Sequence, residues 1–161
     1  MNIKTLLDHY ADYDLWANSN YVSRLERGSA DELDQPVSSS FPSLRLTVLH
    51  IRDAENAWYC RLTGEPMSWP AEADTSIVTL LKYAARLHEL VHGYTDADLN
   101  GSVTYHDLKG KAYVQPRWHM LMHCFNHSTQ HRGQLITIMR SLGMQDIPTN
   151  DLIQYQRSLL T

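Results

Sequence analysis

The sequence predicts an all-α protein, a four-helix bundle with a short hairpin or loop before its last long helix. Apolar residues recur at steps of three and four in four long segments, which is typical of amphipathic helices. Glycine and proline residues lie between those segments. Since 161 residues suit one domain, we expect residues 1–161 to form a single unit.

The four long helices are predicted at about residues 3–27, 42–64, 75–93 and 116–143, with a short terminal helix over 151–160. Proline at 42 and 116 suits a first helical turn, and glycine at 64 and 143 suits a helix end. Asp74 or Thr75 is predicted to cap the third helix. Between the third and fourth helices, residues 102–115 alternate β-favouring side chains around a Lys-Gly pair, which favours a hairpin or loop.

The composition excludes several classes of protein. The net charge of −4 offers no basic surplus, so we expect no nucleic-acid partner. No stretch approaches the roughly 18 apolar residues of a membrane span, so we expect no membrane partner. Acidic residues occupy the N-terminal segment, where a signal peptide would be apolar, and this predicts a cytoplasmic protein.

Histidine is the unusual residue of this chain. There are nine, and four of them, at positions 119, 123, 127 and 131, are spaced by four in the last long helix. Each step of four drifts by about 40°, so the four side chains fan over about 120° and rise about 18 Å. They are too far apart to share one ion, and only an adjacent pair can chelate a metal.

The apolar stripe of the same helix selects that pair. On a helical wheel His131 lies inside the stripe and His127 lies at its edge, about 40° away. His123 and His119 lie progressively toward solvent. Two inward histidines one turn apart form a chelating pair, because a divalent ion satisfies ring nitrogens that burial would leave without partners. The alternative is a pair of core histidines that bond to other protein groups.

A third inward histidine is predicted in the second helix. His50 points toward the core beside Ala54 and Ala57, which leave room for an ion. Alone it would be interpreted as a hydrogen-bonded core residue, but with the inward pair it completes a three-histidine set. Asp53, about 60° away on the same wheel, is predicted to orient an imidazole through a hydrogen bond. Glu55 faces away from His50 and is predicted to be structural or interfacial.

Three protein ligands would leave coordination positions open, which is typical of a catalytic metal. Residues 127–131, H-S-T-Q-H, lack the glutamate of the H-E-x-x-H proteases, so the general base of that class is missing. Two hypotheses follow. One is a metal-dependent enzyme acting on a small molecule, either a hydrolase or a thiol transferase. The other is a non-catalytic bundle with a structural metal or a role in binding and sequestering small molecules.

Three segments resemble a known family. They are YADYDLWANSNYVSRL (10–25), LTVLHIRDAENAWYCRLTGE (46–65) and LMHCFNHSTQHRGQLITIMRSLG followed by DIPTNDLIQY (121–143 and 146–155). The chain is similar to members of the DinB/YfiT-like superfamily, and the H-x-x-x-H-R-G-Q segment is the most specific of the matching motifs. The resemblance implies a four-helix bundle that holds a divalent metal through His50, His127 and His131, the same residues that the helical wheels select.

The resemblance also implies a homodimer, a stress-response setting and, among relatives, enzymes that conjugate low-molecular-weight thiols. Gln134, beside the second ligand of the pair, is predicted to hydrogen-bond near the site. His123 falls where relatives often have histidine and is predicted to support the site or an interface. The expected cofactor is a divalent metal, zinc or nickel first, with iron or manganese as alternatives, together with a thiol.

Overall fold

The computed structural model describes residues 2–160, which form seven helices and one two-stranded sheet. The elements are α1 (Ile3–Glu26), α2 (Ala30–Asp34), α3 (Leu44–Thr63), α4 (Thr79–Gly93), α5 (Asp96–Asn100), β1 (Ser102–His106), β2 (Ala112–Pro116), α6 (Arg117–Ser141) and α7 (Leu152–Ser158). The prediction of a mostly helical chain is confirmed. The strands correct the strictly all-α class to a helical fold that carries a small sheet.

The predicted hairpin or loop is a hairpin. β1 and β2 pair antiparallel, from Ser102 opposite Pro116 to His106 opposite Ala112. Asp107 stabilises the turn because its Oδ1 accepts hydrogen bonds from the backbone N–H groups of Lys109 and Lys111, at 2.8 and 3.0 Å. The hairpin delivers the chain directly into the first turn of α6.

Side-chain caps set the helix ends. α3 begins after Ser43, whose Oγ accepts a hydrogen bond from the N–H of Leu46 at 3.1 Å, and it ends at Gly64 with a φ of 81°. The third long helix, α4, begins later than predicted, at Thr79. Asp74 does accept a backbone N–H, but that donor is Ser76 in a turn before the helix.

The two shortest helices were not predicted. α2 and α5 each have five residues, and each opens with a capping box, Ser29 with Glu32 and Thr95 with Asp98. Helices of one turn leave no apolar periodicity, so only the cap signals could have predicted them.

The four long helices pack in a ring of contacts. α1 packs on α4 and α6, and α3 packs on the same two helices. Two clusters of buried apolar residues fill the interior, one centred on Tyr21, Leu44 and Leu135 and the other on Leu7, Leu87 and Phe125. Because α6 lies between α1 and α3, it can present side chains to both. Within residues 2–160, no helix combines the length and apolarity needed to cross a membrane.

A buried polar network links α1, α3 and α6. Its members are Asp14, Asn18, Glu55, Ser128, Arg132 and Asn150. Arg132, fully buried, donates to Asp14 Oδ1 at 2.6 Å and to Asn18 Oδ1 at 2.8 Å. Glu55 Oε1 accepts from Asn18 Nδ2 and from Ser128 Oγ, both at 2.9 Å. The predicted structural role of Glu55 therefore takes the form of a hydrogen-bonded junction between three helices.

Glu55 is held in its neutral form. Burial raises the pKa of Glu55 well above its ordinary value, and the nearby carboxylate of Asp14 raises it further. A neutral Glu55 adds no further negative charge beside the buried ion pair of Asp14 and Arg132.

We expect the wild type to lose stability relative to the Glu55→Gln variant as the pH rises. Above pH about 4.5 the unfolded chain releases the Glu55 proton while the folded chain retains it, so the wild type loses stability relative to the variant as pH rises toward the folded pKa. The limiting slope is about 1.4 kcal/mol per pH unit. Denaturant unfolding at a series of pH values measures it.

Glu89→Gln is the matched control, because Glu89 is exposed on α4. A difference between wild type and Glu55→Gln that does not change with pH would contradict a neutral Glu55.

Candidate metal centre

Two helices bring three histidines together. α3 supplies His50, and α6 supplies His127 and His131 from successive turns. The Nε2 atom of His127 lies 3.1 Å from Nε2 of His50 and 3.0 Å from Nε2 of His131. We call these three residues the histidine triad. Their Nε2 atoms converge on one point between α3 and α6.

A glutamine orients one member of the histidine triad. Nδ1 of His131 lies 2.7 Å from Oε1 of Gln134, and Gln134 Nε2 in turn donates to Ser40 Oγ at 3.0 Å. Because the amide nitrogen faces Ser40, its oxygen faces the ring and accepts the Nδ1 proton. With its proton on Nδ1, His131 directs its Nε2 lone pair toward the other two rings, as a metal ligand requires.

Burial keeps the rings of His50 and His127 neutral. Burial lowers the pKa of His50 to about 4, with a further lowering from His131. Burial likewise lowers the pKa of His127 to about 3, helped by His131 and His50. Uncharged imidazoles bind metal without first losing a proton.

The donor set fits a divalent ion. Ligands of a tetrahedral zinc at about 2.05 Å lie about 3.3 Å apart, close to the observed separations. Among residues 2–160, the group of mutually close donors at this point consists of the three histidines alone. Within residues 2–160, Nδ1 of His127 is buried and has no hydrogen-bond partner.

Aromatic side chains flank the histidine triad. Phe41 stacks on His50 with ring centroids 4.1 Å apart, and Trp69 meets the same ring edge-on at 5.9 Å. A pocket of about 350 Å³ opens beside His50, and its wall includes Phe41, Leu46, Leu49, Trp69 and Pro70. We call it the apolar pocket.

A second pocket lies beside Gln134, the residue that hydrogen-bonds to His131. It has a volume of about 630 Å³ and is bordered by Gln130 and Gln134 of α6 and by residues 35–39. Its wall mixes amide and hydroxyl groups with a few apolar side chains, and we call it the polar pocket. The two pockets therefore differ in the ligand chemistry that they suit.

The model of the DinB family matches residues 1–158. The chain belongs to the DinB family. It is similar to Protein DinB of Bacillus subtilis (strain 168), with 21% identity over 150 residues that cover 86% of this chain and 87% of that protein. It is also similar to the crystal structure of a DinB-like protein from Bacillus cereus ATCC 10987, with a TM-score of 0.60, 22% identity and coverage of 83% and 89% of the two chains.

The sequence predicts that Gln134, Asp53 and His123 support the metal site of this DinB-family protein. Gln134 hydrogen-bonds to His131, as described above. Asp53 Oδ1 instead accepts from Arg52 Nε at 2.8 Å and from the N–H of Ala71 at 3.0 Å. His123 is exposed, and its ring packs on Trp58 with centroids 4.9 Å apart. Asp53 thus anchors the loop that carries Trp69 and Pro70.

No sequence pattern predicts that Ser40, Phe41 and Trp69 lie beside the histidine triad. They lie in connections between helices, where side-chain direction depends on tertiary packing and not on a helical period.

We expect the metal-free DinB-family protein to lose stability as the pH falls below 6.5. The unfolded chain then binds protons at His50 and His127, while the folded rings stay neutral down to about pH 4 and 3. Urea unfolding in the presence of a chelator, from pH 7.5 to pH 5, measures the decline.

His50→Gln/His127→Gln should show a shallower decline over the same range. The control His106→Gln/His119→Gln removes two exposed histidines and should keep the wild-type slope. Equal slopes in the wild type and the first variant would contradict the neutral state of these two half-buried rings.

Proposed function

We propose that the histidine triad holds a divalent metal, zinc or nickel in the first place, and that the protein is a metal-dependent enzyme acting on a small molecule. The proposal rests on the convergence of three Nε2 atoms, since those of His50 and His131 lie 3.1 and 3.0 Å from that of His127. Family membership and the half-buried, neutral state of His50 and His127 support it.

Three protein ligands and an adjoining pocket favour catalysis over a structural role. A structural zinc is closed by four protein ligands, whereas a catalytic one keeps a position for water or substrate. A divalent ion in the histidine triad would lower the pKa of a water molecule or a thiol that reaches such a position.

Of the two predicted reactions, the carboxylates near the site favour thiol transfer over hydrolysis. A metal-assisted hydrolase needs a free general base beside the attacking water. Asp53 is occupied by Arg52 and the Ala71 backbone. Glu72, also beside the apolar pocket, accepts from Lys82 and Tyr83 at 2.6 and 3.1 Å. Once a thiol has lost its proton to solvent, its sulfur attacks without a protein base.

The two pockets suit the two reactants of such a transfer. The apolar pocket, with Phe41, Leu46 and Trp69, would hold an electrophile with an apolar or aromatic body. The polar pocket, with Gln130 and Gln134, would bind the polar backbone of a low-molecular-weight thiol. The sulfur would form a bond to the electrophilic carbon, and the leaving group would depart with the bonding electron pair.

The predicted homodimer, the cytoplasmic location and the stress-response setting remain predictions for this protein. They follow from the resemblance of its motifs to the family and from its acidic composition.

We expect His127→Ala/His131→Ala to bind one divalent ion fewer per chain than the wild type, because Nε2 atoms from α6 supply two of the three ligands. Gln134→Ala should keep the site but weaken its affinity for metal roughly 10–100-fold, since the His131 ring loses its orienting acceptor. Zinc titration by calorimetry measures both effects.

His106→Gln/His119→Gln is the control for non-specific loss of histidine and should bind as much zinc as the wild type. Unchanged metal content in His127→Ala/His131→Ala would show that the histidine triad is not a metal site.

We expect the metal-loaded protein to conjugate a small thiol to 1-chloro-2,4-dinitrobenzene with release of chloride. Trp69→Ala should raise KM for the electrophile about tenfold, because it removes an aromatic wall, and Gln130→Ala should raise KM for the thiol instead. A panel of L-cysteine, glutathione and coenzyme A, followed by absorbance, measures turnover.

His127→Ala/His131→Ala is the inactive control for background reaction. No turnover with any of these thiols, in protein with a filled histidine triad, would count against the transferase and favour the sequestering alternative.

A further inference from the structure

A second cluster of metal-binding side chains lies away from the histidine triad, where α1 packs on α4. It consists of Asp12 from α1 and of His88 and His92 from successive turns of α4. We call these three residues the α1–α4 cluster. No step of the proposed thiol transfer uses it.

The donor atoms of the α1–α4 cluster converge on one point. Asp12 Oδ1 lies 2.7 Å from His88 Nε2 and 2.9 Å from His92 Nε2. The two imidazole rings lie 4.4 Å apart, one turn from each other on one face of the helix. As in the histidine triad, one ligand atom from each residue lies within 4.8 Å of the other two, which is close enough for all three to hold one ion.

The charge distribution around the α1–α4 cluster favours a cation. His88 and His92 belong to the last turns of α4, whose C-terminal end carries the negative pole of the helix dipole. Asp12 adds a carboxylate oxygen that both imidazoles contact.

Lys4, beside the α1–α4 cluster, makes its contacts with other groups. Lys4 Nζ pairs with Asp8 at 2.5 Å and donates to the carbonyl of His92 at 3.0 Å. Asp8 in turn lies 3.6 Å from Nδ1 of His92, beyond hydrogen-bond distance. Lys4 and Asp8 thus neutralise each other beside the α1–α4 cluster and leave its three donors facing one another.

We propose that Asp12, His88 and His92 form a second divalent-metal site, one that clamps α1 to α4. Two imidazoles and one carboxylate are a ligand set for zinc, nickel, copper or ferrous ions and not for magnesium or calcium, which prefer oxygen. The side chains of His88, His92 and Asp12 are 27%, 38% and 40% exposed, so an ion and a water ligand can reach the site from solvent. Because the ligands come from two long helices, the bound ion stabilises their packing.

The test uses zinc alone and the His127→Ala/His131→Ala background, in which the histidine triad is disabled. Calorimetric titration should find one zinc ion per chain in this background. Saturating zinc should also raise its melting temperature by roughly 5 °C or more, because the ion binds the folded chain alone. Adding His88→Gln/His92→Gln, or Asp12→Asn alone, should abolish both effects.

Adding His106→Gln/His119→Gln to the same background is the matched control and should leave the zinc ion bound. Melting curves without metal establish that each variant folds. No zinc in the background, or zinc retained after His88→Gln/His92→Gln, would overturn the proposal and reduce the cluster to a hydrogen-bonded ion pair. Zinc lost equally in the control would reduce it to non-specific surface binding. The wild type with His88→Gln/His92→Gln should keep one ion, which separates the two sites.

Discussion

The buried pair of Arg132 and Asp14 is the interaction on which the rest of the structure depends. A guanidinium without solvent is costly unless its donors are all satisfied, and here Asp14, Asn18, Thr129 and Asn150 accept them. This requirement fixes the rotation of α6 about its axis, because Arg132 must point at α1. His131, the preceding residue, then points about 100° away, toward α3 and His50. The polar network and the histidine triad are thus consequences of one helix orientation.

The amino-acid pattern predicts the part of this structure that follows from local periodicity. The four long helices and the facing of His50, His127 and His131 can be worked out from steps of 100° per residue, and the alternation of β-favouring residues around a Lys-Gly pair indicates a hairpin or loop. The wheel also distinguishes His131, which is buried, from His119 and His123, which are exposed. A period of 3.6 residues holds over the 20 residues of α3 and the 25 residues of α6, so the predicted direction of each side chain deviates little from the observed one.

What the pattern does not predict depends on contacts between distant segments. Asp53 has the right angle to approach an imidazole, yet Arg52 and the Ala71 backbone compete for it and prevail. Ser40 and Phe41 reach the site from a connection without regular structure. The start of α4 was misplaced because Asp74 caps a turn as readily as a helix. For Asp53 and Asp74 a local signal was present, and tertiary structure decided which group each side chain binds.

Asn150 has a consequence for the order in which the chain can assemble. Its carbonyl accepts from Tyr13 Oη at 2.7 Å, across 137 positions in sequence, and its side chain accepts from Arg132 Nε at 2.9 Å. The loop that such a contact closes is long, and its closure costs conformational entropy. Until residue 150 has docked, Arg132 lacks one of its acceptors and the Tyr13 hydroxyl lacks another. The hydrogen bonds that align α6 are therefore complete only once the segment that carries Asn150 is in place.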